Sequence, residues 1–564
     1  MKRMICLLIA GSVALTLSCG AGAKKEPAVT ENTHIYIVGG GIAGLSAAVF
    51  ALRDGHVPGK NIHILEESKD MGGALDAKGS ADKGYVCRGA RLLNEKSYSC
   101  FWDLLSSIPS LSDPKMYGDG IPSKSVKDEI FAFNKKVKLN ARARIIDKDL
   151  SKRDVNDFGL SLRDRLDIAK LVFFTSEDSI ENRRIDEWFR PGFFKTNFWL
   201  MYAQMFGFET WHSLIECKRY FHRFVHDVYR MGNLTDAGWN TPYNNYESVV
   251  LPIVKLLTAR GVDFEKGCEV TDLDFKPGTA KKTVERIHYI RGGEKKTITV
   301  NGGDYVFVSI GSKVADSRPG SMTTVPVLER GKLDGGWRLW KNLAKKQPGM
   351  GNPSAFSDHI DDSKWVVFSV TLRDPVFFKL YERLTGNFPG EGHLNLFSNS
   401  NWLMSIHVPF QPFFKDQPKD VGYFIAYGLL PDRPGNYVKK KMTDCTGAEL
   451  LSEVCYHLGF IREMPRILKT STCVPYMLPY VTSQFLVRKK SDRPPVVPEG
   501  STNLALLGQF VEIPDDVVYT VEYSVRSAQI GVYTLLNVDR EIPAIYKGLH
   551  NPYYWGEFLL SLHR

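Results

Sequence analysis

Residues 34–73 of this chain read HIYIVGGGIAGLSAAVFALRDGHVPGKNIHILEESKDMGG. The apolar run HIYIV leads directly into a glycine-rich turn, and small and apolar residues at helical spacing follow. We expect Gly39 to allow the turn, Gly41 to let a pyrophosphate approach the backbone, and Gly44 to bring the helix close to the strand. The pyrophosphate would lie at the helix N-terminus, where free N–H groups and the helix dipole attract anions. The pattern therefore predicts a dinucleotide-binding α/β unit.

A second apolar run, residues 62–65, ends at Glu66. This carboxylate follows the last glycine by about twenty residues, the position expected for a group that binds ribose hydroxyls. The glycine spacing alone does not distinguish FAD from NAD. From Glu66 onward the chain reads EESKDMGG, which resembles the E-x(5)-GG pattern of FAD proteins of the glutathione-reductase class. The resemblance implies FAD as the cofactor and adds Gly72 and Gly73 to the cofactor-binding residues.

The composition is that of a soluble globular protein with more than one domain. The chain has 564 residues, of which 43% are hydrophobic and 24% are charged. Roughly two or three domains are expected at this length. The formal net charge of +10 favours anionic partners such as membrane surfaces or carboxylates. The basic residues are spread along the chain without a nucleic-acid-binding motif, so we expect no nucleic-acid partner.

The N-terminus, MKRMICLLIAGSVALTLSCGAGA, has a basic start, a short apolar stretch and small residues at its end. This pattern predicts an export signal over residues 1–23, because the apolar part is too short to cross a bilayer. The residues LTLSC resemble a relaxed bacterial lipobox with Cys19 as the lipidated residue, and cleavage after Ala23 is the alternative. We expect location in the bacterial cell envelope; the alternative is a cytoplasmic protein peripheral to the membrane.

The chain contains nine cysteines, of which two lie within the predicted signal. The remaining odd number, without a CxxC pair or a paired Cys/His spacing, argues against a disulfide framework and a zinc site. We therefore expect these cysteines to be core thiols, and we expect no metal site.

Several segments after the glycine-rich region resemble a known family, the oleate hydratases, once called myosin-cross-reactive antigens. Members carry an RGGREM-like segment followed by CxWDLxxSIPSL, and here the same frame reads RGARLL at residues 88–93 and CFWDLLSSIPSL at residues 100–111. Further matches are TPYNNYES at residues 241–248, NWLMS at residues 401–405 and the long segment 476–536. The resemblance covers nearly the whole chain after the signal.

The resemblance implies water addition to the cis double bond of a long-chain unsaturated fatty acid, without net redox change. It assigns the proton donor to Tyr243 and cofactor binding to Arg91. The family's carboxylate-binding segment corresponds here to residues 406–413, where His407 and Gln411 keep polar side chains. His407 could bind a carboxylate when protonated, or be a buried structural histidine. The glutamate that orients water in the family falls on Leu92, which cannot perform that role.

The remaining predicted elements give the domain organisation. Apolar strand-like runs at residues 263–275, 304–311 and 502–511 and helical runs at residues 247–261 and 522–536 suit an FAD domain. In FAD enzymes of this class the corresponding strands and turns contact the cofactor, which here implies Val270, Gly311, Gly508 and Gln509. Residues 125–235 alternate charged and aromatic groups at helical spacing, and we interpret the aromatics as core. Residues 321–480 show strand-like alternation and many aromatics, which favours a sheet lining an apolar pocket.

The sequence thus predicts an α/β fold with a discontinuous Rossmann-type FAD-binding domain, a substrate domain with a mixed sheet, and a helical lid. The FAD domain comprises residues 34–124, 236–320 and 481–540, the lid residues 125–235 and the substrate domain residues 321–480. Residues 541–564 form a membrane-proximal segment or a helix docked on its own domain. A homodimer is compatible with the sequence. The rival functions are a redox flavoenzyme of the amine-oxidase or desaturase kind and a non-catalytic fatty-acid binder, because the FAD scaffold is shared.

Overall fold

A computed structural model describes residues 29–89, 91–112, 123–235, 237–278 and 280–561. The predicted export signal, residues 1–23, lies outside this part of the chain. The strands are β1 (Ile35–Val38), β2 (Ile62–Glu66), β3 (Ala77–Ser80), β4 (Gly84–Cys87), β5 (Ile145–Ile146), β6 (Asp263–Lys266), β7 (Cys268–Phe275), β8 (Val284–Arg291), β9 (Glu294–Thr299), β10 (Tyr305–Ser309), β11 (Arg318–Pro319), β12 (Trp365–Leu372), β13 (His393–Phe397), β14 (Met404–Val408), β15 (Gly422–Gly428), β16 (Ser471–Leu478) and β17 (Leu504–Leu507).

The helices follow in the same chain order. They are α1 (Ile42–Arg53), α2 (Ser99–Ser106), α3 (Val126–Lys136), α4 (Leu162–Phe174), α5 (Asn197–Phe206), α6 (Leu214–Phe224), α7 (Leu251–Ala259), α8 (Gly335–Lys346), α9 (Ser354–Ser357), α10 (Ile360–Ser363), α11 (Val376–Thr385), α12 (Gly447–His457), α13 (Met464–Thr470), α14 (Val521–Leu535) and α15 (Pro552–Ser561). A π-helical turn, Tyr246–Val250, precedes α7.

The first sheet is parallel and has the strand order β17-β10-β1-β2-β6. Its central strand β1 is buried throughout, as expected for a strand covered on both faces. Helices α1 and α14 pack against each other beside this sheet. The strands come from three distant parts of the chain, so the FAD-type fold is discontinuous, in agreement with the predicted fold class.

The second sheet has the strand order β11-β16-β12-β15-β14-β13-β5. Its pairs are antiparallel except for β13 and β5. Strand β12 is buried at every position because both faces of the sheet are covered. Val366 and Phe368 pack with helices α11 and α12, whereas Trp365 and Val367 belong to the core shared with the parallel sheet. The face of this sheet that carries Trp365 and Val367 therefore points toward the dinucleotide-binding part of the protein.

Three predicted segments differ from the structure. The single strand expected over residues 263–275 is broken at Gly267, which has a φ of 69°, so β6 joins the parallel sheet and β7 joins a separate β7-β8-β9 sheet. The start of the predicted substrate domain contains α8, which packs against β7 of the FAD-binding part instead. The predicted lid also contributes β5, which pairs with the free edge of β13 and satisfies its backbone groups.

The region predicted as a lid is built mainly on buried aromatic side chains. Phe198, Trp199 and Tyr202 of α5 are buried, and the ring of Phe221 lies 4.9 Å from that of Tyr202. These aromatics are core, as interpreted from the sequence. A buried carboxylate on α6, Glu216, lies 2.8 Å from Arg488 and fastens this region to the third part of the FAD domain.

The C-terminal helix α15 docks on residues 225–230 and buries Phe558. Its other face carries Tyr553 and Leu560, which are exposed. Within the described ranges, no helix combines the length and the apolar character that a membrane crossing requires. The cysteines in the same ranges are buried and unpaired, as predicted for core thiols: Cys87, Cys100, Cys217, Cys268, Cys445, Cys455 and Cys473.

Candidate functional site

A cleft of about 600 Å³ opens at the carboxyl ends of the parallel strands β1, β2 and β10. This edge is where open α/β sheets bind ligands. Nine residues predicted from the sequence to bind the cofactor line the cleft: Gly39, Gly41, Glu66, Gly73, Arg91, Val270, Gly311, Gly508 and Gln509. The other two, Gly44 and Gly72, lie behind its wall.

The three glycines of the first turn have distinct surroundings. Gly39 adopts a φ of +100°, a conformation that residues with a side chain rarely adopt. At Gly41 a Cβ atom would meet nothing within 4 Å, so this position faces open cleft. At Gly44 a Cβ atom would lie 1.9 Å from the carbonyl oxygen of Gly39, so the helix can approach the strand only without a side chain there. The turn at Gly39 and the close approach at Gly44 agree with the spacing, and pyrophosphate binding at Gly41 stays a prediction.

Glu66 and the second glycine pair brace the turn. Oε2 of Glu66 accepts the N–H of Gly40 at 2.6 Å, and its Oε1 accepts the N–H of Ser68 at 2.8 Å. The N–H of Gly72 donates to the carbonyl oxygen of Gly40 at 2.9 Å. Gly72 thus supports the site through the backbone, and Glu66 lies at the cleft wall, where its binding of a ribose stays a prediction.

Two helix N-termini point into the cleft. Ile42 and Ala43 of α1 line it, as do Thr520 and Val521 at the start of α14. Helix N-termini offer free N–H groups and a favourable dipole to phosphates. The side chain of Gln509 donates to the carbonyl oxygen of Thr520 at 2.8 Å, so it positions α14 and leaves its backbone to face the cleft.

Buried polar atoms in the cleft without a protein partner support the fit of a polar cofactor. Oγ of Ser309 and Oδ1 of Asp334 are buried and have no hydrogen-bond partner among the described residues. Buried polar groups normally have partners, so these atoms suit a ligand rich in donors and acceptors. Together with the open face of Gly41 and the two helix N-termini, they fit FAD.

Two charged residues at this site, Lys313 and Asp334, were not predicted from the sequence. Lys313 is buried, its Nζ lies 4.3 Å from the centre of the Tyr519 ring, and desolvation holds its pKa well below the usual range. Burial also raises the pKa of Asp334 to about 8. Asp334 precedes the GGW start of α8, a typical helix-capping position that could have indicated it. Lys313 follows Gly311 by two residues, and nothing in its local sequence signals a function.

A second, mostly apolar cavity of about 150 Å³ adjoins the cofactor cleft. The two spaces share Arg88, Arg91, Thr520 and Val521 as wall residues. The side of the second sheet that faces the parallel sheet supplies Trp365, Val367, Ile425 and Tyr427. Leu92 also lines this cavity, so the carboxylate that the resemblance expects at that position is replaced by an apolar wall.

Tyr243 lies beside this cavity and does not line it. Its neighbours Thr241 and Asn245 line a small side chamber that shares Arg91 with the main cavity. The Tyr243 ring is half-buried, with Nζ of Lys415 at 5.5 Å from the ring centre. Its hydroxyl makes no hydrogen bond to any residue that the structure describes. The catalytic role of Tyr243 stays a prediction.

His407 lines the cavity, but its surroundings disagree with binding a carboxylate as a cation. The ring is buried, and desolvation lowers its pKa to about 4. Nδ1 lies 2.7 Å from the carbonyl oxygen of His393, so in the neutral ring Nδ1 carries the hydrogen and Nε2 is an acceptor. A neutral ring in this tautomer cannot donate to a carboxylate, which favours the structural interpretation of this histidine.

Gln411 differs from its predicted role as a substrate ligand. Its Nε2 donates to the carbonyl oxygens of Pro409 and Tyr423 at 2.9 and 3.0 Å. Its Oε1 accepts from Nε2 of Gln417 at 2.7 Å and from the backbone N–H of Tyr423 at 3.1 Å. The loop therefore uses the hydrogen bonds of this side chain, and Gln411 does not line the cavity.

The parallel sheet, its glycine turn and the cleft define a Rossmann-type FAD-binding flavoprotein with an adjoining apolar cavity. Solved structures with this fold include cyclohexylamine oxidase from Brevibacterium oxydans IH-35A, with a TM-score of 0.53 and 12% identity, covering 90% of this chain and 99% of that one. Wild-type putrescine oxidase bound to putrescine is similar at a TM-score of 0.52 and 10% identity, covering 90% of this chain and 99% of that one. At such identities the likeness concerns the fold alone.

The chain belongs to the MCRA family, which matches residues 32–533. It is 37% identical to an oleate hydratase of Streptococcus pyogenes serotype M49 (strain NZ131) over 549 residues, which cover 96% of this chain and 90% of that protein. It is 30% identical to a linoleate hydratase of Lactiplantibacillus plantarum over 543 residues, which cover 89% of this chain and 93% of that protein. The resemblance found in the motifs is thus confirmed.

Proposed function

We propose that this protein is an FAD-dependent hydro-lyase that adds water to the cis double bond of unsaturated fatty acids such as oleate. The product is a hydroxy fatty acid, and the reaction has no net redox change. The observation that carries the proposal is the shared wall at Arg88 and Arg91, which places an apolar cavity against the cofactor cleft. The relatives named oleate and linoleate hydratase act on substrates that suit such a cavity.

The chemistry requires an acid and an oriented water. An unactivated alkene is a poor base, so an acid must deliver a proton while water attacks the developing cation. Tyr243 is the predicted donor, and the nearby Lys415 cation would stabilise the phenolate left after proton transfer. FAD would be held by the glycine turn and by the N-termini of α1 and α14, and it would supply hydrogen-bonding groups to the reaction. The protein side chains orient the fatty acid and exclude bulk water.

The test is incubation of the purified FAD-loaded protein with oleate without oxygen or any electron acceptor, after the flavin is reduced. Hydroxy fatty acid formed over many turnovers supports the hydratase. A redox flavoenzyme of the amine-oxidase or desaturase kind, the rival that shares this fold, would not turn over, because its reduced flavin cannot accept electrons from the substrate. A non-catalytic binder would retain oleate and give no product, and either of these results would reject the proposal.

We also propose that the protein works at a membrane surface through α4 and α15. The two helices are neighbours, since the rings of Phe173 and Phe558 lie 6.4 Å apart. Exposed apolar side chains extend from both, with Phe174 at 83% and Leu560 at 66% exposure. Exposed apolar groups beside basic ones such as Lys170 are typical of interfacial helices. Fatty acids, the proposed substrates, also partition into membranes.

Vesicle sedimentation tests this surface in protein that lacks residues 1–23. Phe174→Ser combined with Leu560→Ser is expected to lower the fraction bound to anionic vesicles several-fold. Ile461→Ser is the matched control, because Ile461 is 55% exposed and lies outside α4 and α15. Equal binding by both variants would reject the membrane surface. Unchanged vesicle binding with loss of a dimer in size-exclusion chromatography would assign the face to a second copy.

Export to the cell envelope remains our proposal for location. It rests on the basic, apolar and small-residue pattern of residues 1–23 and on the lipobox-like position of Cys19. Cys19→Ala should move protein from the membrane fraction to the soluble fraction if the residue is lipidated. If only deletion of residues 1–23 has this effect, cleavage after Ala23 is favoured. No change in either variant would remove the export interpretation and favour a cytoplasmic protein.

A further inference from the structure

The apolar cavity has one acidic wall residue among those that the structure describes, Asp227. Asp227 lies just beyond α6 in a short 3-10 segment, Val225–Arg230, and its side chain is almost fully buried. Carboxylates are rarely buried without strong pairing. The proton donor and the fatty acid chain do not account for a buried carboxyl in this mostly apolar space.

Asn94 holds this carboxyl in place. Its Nδ2 donates to Oδ2 of Asp227 at 2.7 Å, while its Oδ1 accepts the N–H of Ser97 at 2.9 Å and fixes the amide orientation. Leu93 forms an isolated antiparallel bridge with Trp239, so the chain is extended here and the side chains of Leu92 and Asn94 share a face. The carboxyl is therefore positioned beside the stretch of wall that Leu92 makes apolar.

The second oxygen of Asp227 is left without a hydrogen bond. Oδ1 accepts none from any described residue, and its nearest cation is Nη1 of Arg230 at 3.8 Å. His226 adds no positive charge, because burial and nearby cations lower its pKa to about 3. The other ionisable groups that influence this site are Lys96 and Tyr546. Oδ1 is thus available to a water in the cavity.

Burial raises the pKa of Asp227 to about 7, against the smaller opposing effects of Asn94, Arg230 and Lys96. A base whose pKa lies close to the working pH is the most effective in general base catalysis. The group is partly ionised at neutral pH and can both accept and release a proton. A carboxylate with a purely structural role would gain nothing from a pKa close to neutral pH.

We propose that Asp227 orients the attacking water and accepts its proton, an inference that rests on the hydratase function proposed above. The water oxygen forms a C–O bond to one alkene carbon while the acid gives a proton to the other, and the π bond breaks. One water proton passes to Oδ1 of Asp227. This proton then returns through solvent to the conjugate base of the acid, so H and OH are added and no electrons leave the substrate.

The first test uses hydration kinetics of the FAD-loaded protein. Asp227→Asn keeps the shape of the side chain and an oxygen that can accept the hydrogen bond from Asn94, but it removes the base. Turnover should therefore fall by about 10²-fold or more, with oleate binding retained. Product formation by the wild type should rise with pH through about 7, as the carboxyl ionises, and the variant should lose this limb. Adding Leu92→Glu to Asp227→Asn should restore at least about tenfold, because a carboxylate returns to the same face.

The second test separates a base from a structural residue without measuring activity. A carboxyl with a raised pKa binds more protons in the folded state, so it costs stability as pH rises. The melting temperature of Asp227→Asn relative to the wild type should therefore rise between about pH 4, near the unfolded pKa, and about pH 7, the folded pKa, and level off above it. A structural ion pair with Arg230 would lower the pKa of the carboxyl instead, and the difference in melting temperature would then stay constant over this interval.

The outcomes are distinct. Turnover of Asp227→Asn near the wild-type rate, or a difference in melting temperature that does not rise with pH over this interval, overturns the assignment of Asp227 while the hydratase function stands. Absence of product from the wild type itself rejects the hydratase function instead, and in that case the stability trend alone decides whether the buried carboxyl is poised as described.

Discussion

The backbone N–H of Arg91 donates a hydrogen bond of 3.1 Å to Oδ1 of Asn245. Arg91 lines both the cofactor cleft and the apolar cavity, whereas Asn245 belongs to the segment that carries Tyr243. One bond thus joins the boundary of the two spaces to the segment with the predicted proton donor. The N–H of Asn244 donates to the carbonyl oxygen of Phe413 at 2.8 Å and holds the same segment from the other side.

Gly41 and Gly44 of the glycine-rich segment should respond differently to substitution. Gly41 has a φ of −74° and open space on its Cβ side, so Gly41→Val should fold but exclude the pyrophosphate and lose FAD. Gly44→Ala should destabilise the fold by about 1–3 kcal/mol, because its Cβ would collide with Gly39. Flavin absorbance per protein and the melting temperature distinguish the two. A yellow Gly41→Val protein would contradict the assignment.

The sequence predicted the elements whose pattern is local. The glycine turn, the acid at Glu66 and the strands β10 and β17 are each encoded within a few residues. It did not predict that β5 would complete the second sheet, because edge pairing depends on which strand is left open after folding. Nor did it identify Lys313, since its role arises from contact with Tyr519, some two hundred residues away.

The polar residues of the substrate region show why the sequence alone could not predict the residues that bind substrate. His407 and Gln411 keep polar side chains in a segment that matches the family, and this pattern predicts substrate binding. Their hydrogen bonds, to His393 and to Tyr423 and Gln417, are made across strands and loops. In sequence, a side chain whose hydrogen bonds are all made within the protein cannot be told from one that binds a ligand. Asp227 is the opposite example, because it lines the cavity although no motif in the sequence indicated it.

The buried cluster at Glu216 should dominate the attachment of the lid. Glu216 lies 2.8 Å from Arg488 and 3.0 Å from Arg493, and these and other arginines lower its pKa to about 2 despite its burial. Glu216→Gln should cost about 3–5 kcal/mol, because two guanidinium groups lose their partner. The half-exposed pair of Glu187 and Arg183 is the control, and Glu187→Gln should cost less than about 1 kcal/mol.

The sign of the pH dependence follows from the lowered pKa of Glu216. Its stabilising contribution is present above the unfolded value and is lost as pH falls toward about 2. In urea unfolding, the difference in the free energy of unfolding between the wild type and Glu216→Gln should therefore become smaller as the pH is lowered. A gap that stays constant with pH would mean that the carboxylate charge does not carry the interaction.

His407 should behave as a neutral ring throughout the physiological range. Its folded pKa of about 4 lies below the unfolded value, so the unfolded state binds more protons and stability falls as pH drops from about 6.5 to about 4. His407→Gln removes this dependence and should lose less stability over that interval. Histidine NMR titration gives the direct readout. Protonation of this ring near neutral pH would restore the carboxylate-binding interpretation.

The last prediction concerns the proton donor. Tyr243→Phe keeps the ring and its contact with Lys415 but removes the acidic proton, so oleate and FAD should still bind while turnover falls by about 10²-fold or more. The hydroxyl has no hydrogen bond to a described residue, so the melting temperature should change little.

Tyr246→Phe is the matched control for this change. Tyr246 belongs to the same segment and is also half-buried, and it packs beside Gly72 rather than beside the side chamber. It should keep most of its turnover. The measurement is hydroxy fatty acid formation by both variants beside their binding of oleate and FAD. If Tyr243→Phe turns over like Tyr246→Phe with binding intact, the proton comes from another acid, and the donor must be sought among the residues that line the cavity.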